Sequence, residues 1–253
     1  MRKNLGNIVL RGAALGGRFV LLLAISQYLS PKALGVYGVF SVTVSLALLA
    51  LGLEFYTFNT REILDCSPRQ RVIRLRDQLV FHAIAYLFIL PLLLLPFLGG
   101  IMEWKHIGWF YAVLITEHFS QEIYRVLIAL SRSVQANFVY FIRAGAWVGA
   151  LAILYWWNPS ARQLNWVWML WWIGGVLSVA TGAFFLRHMC WTEAWSHPVQ
   201  WSWIRRGLSV AFPFMLASLA MRGMVAADRY FLEYYRSDEV VGVYTLYYSI
   251  SNL

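Results

Sequence analysis

Two arginines, Arg18 and Arg222, interrupt otherwise apolar stretches. A guanidinium placed in hydrocarbon costs about 2.5–3.5 kcal/mol on the insertion scale, and more by other measures. Each therefore needs a compensating environment. A hydrated path that receives an anion is one, because the planar arginine fork pairs bidentately with phosphate oxygens. An internal carboxylate, or a water interface reached by snorkelling, is the other. A denser group lies at Glu117, His118, Gln121, Glu122 and Arg125. On a helix, positions 118, 122 and 125 share one stripe, and 117 and 121 join its edge. Facing lipid would be very unfavourable, so the stripe must face protein or water. Two chemistries suit it. Glu117, His118 and Glu122 form a candidate proton relay, with Arg125 adding positive potential to a cleft. Alternatively Glu122 and Arg125, three residues apart, satisfy each other. No metal site is expected, because His118 and Glu122 lack an apparent third ligand. Arg143, about two turns into another apolar stretch, either snorkels or contributes to the mouth of a cleft. Glu54, Asp77, Gln78 and His82 are assigned to a hydrated interface, and Asp228 and Arg229 to pairing with their neighbours in a headgroup region.

The elements that must position these groups are membrane-length helices. Of 253 residues, 60% are hydrophobic and 13% charged, and apolar segments of about 20 residues recur, each able to cross roughly 30 Å of hydrocarbon. Spans are predicted near 12–29, 35–57, 77–101, 108–130, 138–157, 165–187 and 207–228, with an eighth from 241. The fold class is an all-α, polytopic membrane bundle. Residues 1–28 superficially look like a signal peptide, but Arg18 breaks the apolar run and further spans follow, so cleavage is not expected. The formal charge of +9 does not point to nucleic acid, since the basic residues lie between spans and not along one polar face.

Connector charge alternates. The set at the N-terminus (Arg2, Lys3, Arg11), at 58–76, at 131–137 and at 188–206 is rich in arginine; the connectors at 30–34, 102–107 and 158–164 hold one basic residue each. By the positive-inside rule the N-terminus is cytoplasmic, with Trp104, Trp109, Trp156, Trp157 and Trp166 marking the opposite interface. Cys66 and Cys190 fall in separate cytoplasmic connectors, where a disulfide is not expected. The 188–206 connector, with Trp191, Trp195, Trp201 and Trp203 among polar residues, reads either as a segment lying along the membrane surface or as an ordinary loop with interfacial tryptophans. Gly12/Gly16 and Gly145/Gly149 have the small-xxx-small spacing of close helix contacts. Pro91, Pro96 and Pro213 are candidate kinks.

A short repeat organises the whole. Gly35-Val36-Tyr37 recurs as Gly242-Val243-Tyr244, preceded by Ser30 and Ser237 at the same offset of 207 residues. On that alignment Arg222 falls opposite Leu15, one helical turn from Arg18, so the two arginines sit on nearly the same face of related helices. The chain then divides into a six-helix N-terminal lobe (1–190), an interfacial linker (191–206) and the first one to two helices of a repeat-related, truncated C-terminal lobe (207–253). The last 13 residues make only about 20 Å of helix, short of a full crossing.

Tyr28-Leu29-Ser30-Pro31-Lys32-Ala33-Leu34-Gly35-Val36-Tyr37, Gly52-Leu53-Glu54, Arg61-Glu62-Ile63-Leu64, Asp228-Arg229-Tyr230-Phe231 and Ser237 through Tyr244 together resemble the polysaccharide-export branch of the multidrug/oligosaccharidyl-lipid/polysaccharide exporter superfamily. These are the flippases of lipid-linked oligosaccharides such as O-antigen units. The resemblance implies twelve to fourteen spans in two lobes around a cleft faced by the first and seventh helices. It implies a multi-pass protein of the bacterial inner membrane whose cargo is an undecaprenyl-pyrophosphate-linked oligosaccharide. Arg18, Arg222, Arg125 and Arg143 would then be cleft cations, with membrane lipid and polysaccharide polymerase or assembly proteins as partners, and no cofactor. Phosphate-loop, zinc-protease, nucleophile-elbow and dinucleotide signatures are missing, so an enzyme is not expected. Two alternatives stand beside this reading: a cation-coupled drug exporter of the same superfamily, and a membrane glycan polymerase, ligase or acyltransferase. The short external connectors disfavour the last.

Overall fold

The computed structural model describes the backbone of residues 2–251 and the side chains within that range except those of residues 2–5, Ile8 and Arg18. All regular structure among the described residues is helical. In chain order the helices are α1 (Arg2–Tyr28), α2 (Pro31–Gly52), α3 (Tyr56–Asp65), α4 (Pro68–Leu92), α5 (Leu95–Leu98), α6 (Ile107–Ala129), α7 (Ser133–Phe141), α8 (Trp147–Trp157), α9 (Leu164–Leu186), α10 (Trp191–Trp195), α11 (Trp201–Tyr235) and α12 (Asp238–Ser251). Six stretches are long and apolar enough to cross a membrane: Val9–Tyr28, Pro31–Gly52, Pro68–Leu98, Ser133–Trp157, Leu164–Leu186 and Trp201–Tyr235. The chain is on that ground a multi-pass membrane protein. α6, with 23 residues, is as long as α9, but carries Glu117, Glu122 and Arg125.

Local chemistry sets the ends. The Ser30 side chain accepts from the Ala33 N–H with Pro31 in the first turn of α2, and Ser67 with Gln70 forms a reciprocal capping box ahead of Pro68. Proline suits these first turns, where its missing N–H leaves no bond unmade. At the far end of α2 the chain passes through Leu53 (φ 45°) and Glu54 (φ 54°), a left-handed corner uncommon outside glycine. That corner turns Glu54 inward, where it is buried, and starts α3. The predicted connector at 58–76 is therefore mostly helix. Pro91 and Pro96 divide the third span into α4 and the one-turn α5, whereas Pro213 lies within the uninterrupted α11.

α7 and α8 are one span joined by a π-helical turn, Ile142–Ala146. Its extra residue per turn shifts the faces on either side. Gly145 lies in this turn and α1 packs against it, with the Gly17 Cβ position 3.2 Å from the Gly145 Cα. Of the four glycines with small-xxx-small spacing only Gly145 makes a close helix contact: among the described residues nothing lies within 4 Å of a Cβ placed on Gly12, Gly16 or Gly149. α9 meets α6 through Gly175 against Thr116, Gly182 against Ile123, and a 2.5 Å bond between Ser120 and Ser178. An aromatic core of Phe40, Phe110, Trp168 and Trp171 joins α2, α6 and α9.

The repeat appears as an interface. A Cβ on Gly35 would lie 1.8 Å from the Asp238 carbonyl oxygen, and one on Gly242 would lie 2.0 Å from the Pro31 carbonyl oxygen. These are the same pair with the repeat copies exchanged. Gly38 meets Thr245, its own counterpart. α2 and α12 therefore run parallel about a local two-fold axis, the arrangement expected of repeats related by an axis along the membrane normal.

At the opposite, arginine-rich end, the connector after α9 is held tightly. Arg69 pairs with Glu193 at 2.7 Å, and the buried Arg76 donates to the His197 and Pro198 carbonyls at 2.8 and 3.2 Å while pairing with Asp77 at 2.9 Å. Trp195 and Trp201 remain exposed.

Candidate functional site

α6 distributes its polar stripe between two sites. Neighbouring residues on a helix differ by about 100° in direction, so Glu117 and His118 face different partners. Glu117 points toward α7, α8 and α9. Arg143, in the π-turn, pairs with it at 3.3 Å, and the Trp171 Nε1 donates to its other oxygen at 2.7 Å. Both charged side chains are nearly buried, yet they line a half-open vestibule of ≈ 270 Å³ together with Gln121, Ser41, Ser45 and Tyr140. Trp147 and Trp171 complete one wall as parallel rings 5.9 Å apart. Polar groups beside aromatic faces suit a hydrated, partly apolar solute.

Arg222 of α11 touches the vestibule through Ser45, which lines it. It donates to the Ser45 carbonyl and hydroxyl at 3.3 and 3.1 Å, and among the described residues it makes no ion pair. Arg18 lies in α1, but its side chain falls outside the described residues. Arg143 does not snorkel: it is tied to Glu117 within the wall.

His118, Glu122 and Arg125 face the second site, against α4 and the corner after α2. Glu122 bonds Arg125 through Oε1, accepts from Gln78 Nε2 at 2.7 Å through Oε2, and stands 3.7 Å from His82 Nε2. The His118 Nδ1 bonds the Tyr86 hydroxyl at 2.7 Å, and its ring meets that of His82 edge-on at 4.7 Å. Asn59 of α3 donates to Gln78. Arg125 stacks on Tyr56 at 3.6 Å. Burial, reinforced by the Glu54 charge, holds the Tyr56 phenol above its usual pKa.

Three expectations change here. The proposed relay Glu117–His118–Glu122 is divided between two sites, because Glu117 takes Arg143 and Trp171 as partners. Glu54, Asp77, Gln78 and His82 are buried, not at a hydrated surface. The missing third ligand beside His118 and Glu122 exists: a ligand atom of His82 lies within 4.8 Å of theirs. His82 belongs to α4, and only packing of α4 on α6 reveals the juxtaposition. Trp147, Trp171 and the π-turn that presents Arg143 were likewise unmarked by any local motif. Arg229 is buried, donating to Thr245 and lying over Tyr248, and Asp228 accepts from Tyr244 at 2.7 Å. These contacts belong to the α11–α12 pair.

Fold and site together define a polytopic helical membrane protein with a polar, aromatic-walled vestibule between its helices. No family model, no characterised protein and no solved structure matches the chain.

Proposed function

We propose that the chain carries an anionic, lipid-linked oligosaccharide across the bacterial inner membrane by alternating access, polar head in the vestibule and polyprenyl tail in lipid. The observation that carries the reading is the vestibule wall. Membrane-length helices surround a half-open cavity lined by Arg143, Glu117, Gln121 and two serines, and Arg222 is bonded to one of those serines. Sugars need hydrogen-bonding groups and flat apolar faces, which Gln121, Ser41, Trp147 and Trp171 offer. A pyrophosphate needs guanidinium groups. Arg222, held only by neutral serine oxygens among the described residues, can turn to such an anion without leaving a carboxylate unpaired. Arg143 must exchange Glu117 for the cargo, so it is a gated cation, whereas Arg125 stays paired with Glu122 in the second site. Arg18, one helical turn from the position that the repeat sets opposite Arg222, joins the set.

Reconstituted into liposomes with a fluorescent lipid-linked saccharide, the wild-type chain should move label between leaflets. Arg222→Ala should slow this at least tenfold, about 1.4 kcal/mol, at an unchanged level of inserted protein. Full translocation by Arg222→Ala and by Arg143→Ala would overturn the reading. The Glu117 carboxylate in the wall favours one second reading, a cation-coupled drug exporter. In that case a lipophilic cation would move, the saccharide would not, and Glu117→Gln would abolish transport.

A further inference from the structure

We propose that His82, His118 and Glu122 form a binding site for a divalent transition-metal ion of the zinc class. This does not depend on the transport reading. Three features carry it. The first is the donor set. Two imidazoles and one carboxylate, each offering an atom within 4.8 Å of the others, are the ligands of an open three-residue zinc site whose fourth position takes water. His118 and Glu122 are spaced i, i+4 on α6, so they project from one face, and His82 closes the triangle from α4.

The second is orientation from outside the triangle. A metal-binding histidine almost always has its other ring nitrogen engaged, which fixes the ring and its tautomer. His118 has Nδ1 bonded to Tyr86 at 2.7 Å, and its Nε2 is buried without a hydrogen-bond partner among the described residues. Glu122 divides its oxygens in the same manner, with Oε1 on Arg125 and Oε2 toward His82 and Gln78. Arg125 on Oε1 keeps the carboxylate oriented, while the Gln78 amide, which bridges Glu122 Oε2 and His82 Nε2 at 2.7 and 3.2 Å, must turn aside for a metal ion to take its place. An unpaired nitrogen on an imidazole that is only 1% exposed is otherwise unfavourable, and a metal ion would satisfy it.

The third is room. A ≈ 70 Å³ cavity has His82 and Glu122 in its wall. On the α2 side, Gly52 leaves its nearest neighbours, His118 Nε2, Arg125 and Glu122, no closer than 3.6 Å to where a side chain would begin. Zinc–nitrogen distances of about 2.0–2.1 Å require the ligand atoms to draw together by roughly 1.5 Å, within reach of small side-chain rotations on two helices. Charge limits the site without closing it. A dication adds to Arg125, but Glu122 stands against it, and Arg125 already spreads its charge over the Tyr56 ring.

The test is titration of the full, untagged chain in detergent with Zn2+ by calorimetry and with Co2+ by visible absorption, in a Cys66→Ser/Cys190→Ser background that removes the thiols. One ion should bind per chain, and Co2+ should give the intense bands of a four-coordinate site. Tyr86→Phe keeps the ring and its packing and should weaken binding about 10–100-fold. His82→Asn/His118→Asn should abolish it. Tyr86→Phe keeps the comparison decisive should the double variant fail to fold. Absence of stoichiometric binding by the wild-type chain, or wild-type affinity in Tyr86→Phe and in either single histidine variant, would overturn the site.

Discussion

At the scale of single residues, the contrast between Arg143 and Arg222 matters most. Arg143 is 13% exposed and its partner Glu117 11% exposed, so removing either leaves a poorly solvated charge. Truncating one member of a buried pair costs about 3–5 kcal/mol, and the vestibule's water should bring this pair to the low end. Arg143→Met should therefore lower the unfolding free energy by about 3 kcal/mol, and Glu117→Gln in the same chain should restore most of it. A double-mutant cycle by denaturant titration checks this, and additive losses would show that the two groups do not interact. His106, just before α6, supplies a pH dependence. Burial, with Lys105 adding repulsion, lowers its pKa below the usual 6.5 against an opposing pull from Glu103. Above pH 6.5 the ring is neutral in both states and contributes nothing. As pH falls below 6.5 the unfolded chain takes the proton first, so stability is lost until the lower folded-state value is reached. His106→Gln should flatten that part of the thermal-midpoint profile. Glu103 responds in a separate window: Lys105 lowers its pKa, so its small contribution fades only below about 4.5, and the pair is too exposed to weigh much.

Helices explain which of these contacts could be read in advance. The stripe on α6 was legible because 3.6-residue periodicity is a local property. What each face meets is not local. Glu117 meets Arg143 because a π-turn inserts a residue near Gly145, and His118 meets His82 because α4 packs beside α6. Neither leaves a mark in the neighbouring sequence. The connector at 58–76 hides its helices for a related reason: its arginines suggest a solvated loop, but a capping box at Ser67 and the left-handed corner at Leu53–Glu54 make helices of it. Repeated Gly-Val-Tyr was legible as a repeat and only the fold shows its use. Gly35 and Gly242 each abut the backbone of the other helix at 1.8–2.0 Å from a notional Cβ, so no side-chain adjustment can admit a methyl. Gly35→Ala or Gly242→Ala should force α12 away from α2 and cost at least the 1–3 kcal/mol typical of overpacking. Gly12→Ala and Gly16→Ala, with open space around them, should stay within about 0.5 kcal/mol of wild type. Thermal unfolding of the four variants side by side checks the ranking; equal effects would mean that α2 and α12 are not packed in this way.

For the whole molecule, the two ends differ in construction. One end is closed by the first turns of α2 and α12, crossed by Lys32 and Asp238 at 3.6 Å. The other is bound by arginines: Arg69 to Glu193, Arg76 to the connector carbonyls, Arg206 to Glu62 at 2.7 Å. Cys66 and Cys190 both lie at this second end, since the connectors holding them meet through the Arg69–Glu193 pair, while Asn158 lies beyond α8 at the first. The charge asymmetry predicts that the arginine-rich end faces the cytoplasm. In intact cells a membrane-impermeant maleimide should then leave both native thiols unlabelled, and should label an Asn158→Cys variant in a cysteine-free background. After lysis Cys190, which is exposed, should react faster than the half-buried Cys66. Labelling of Cys190 in intact cells would reverse the orientation, and the direction of the proposed transport with it. The vestibule would be untouched by that outcome, because its wall depends on how α1, α2, α6, α7, α8 and α9 pack and not on which compartment either end meets.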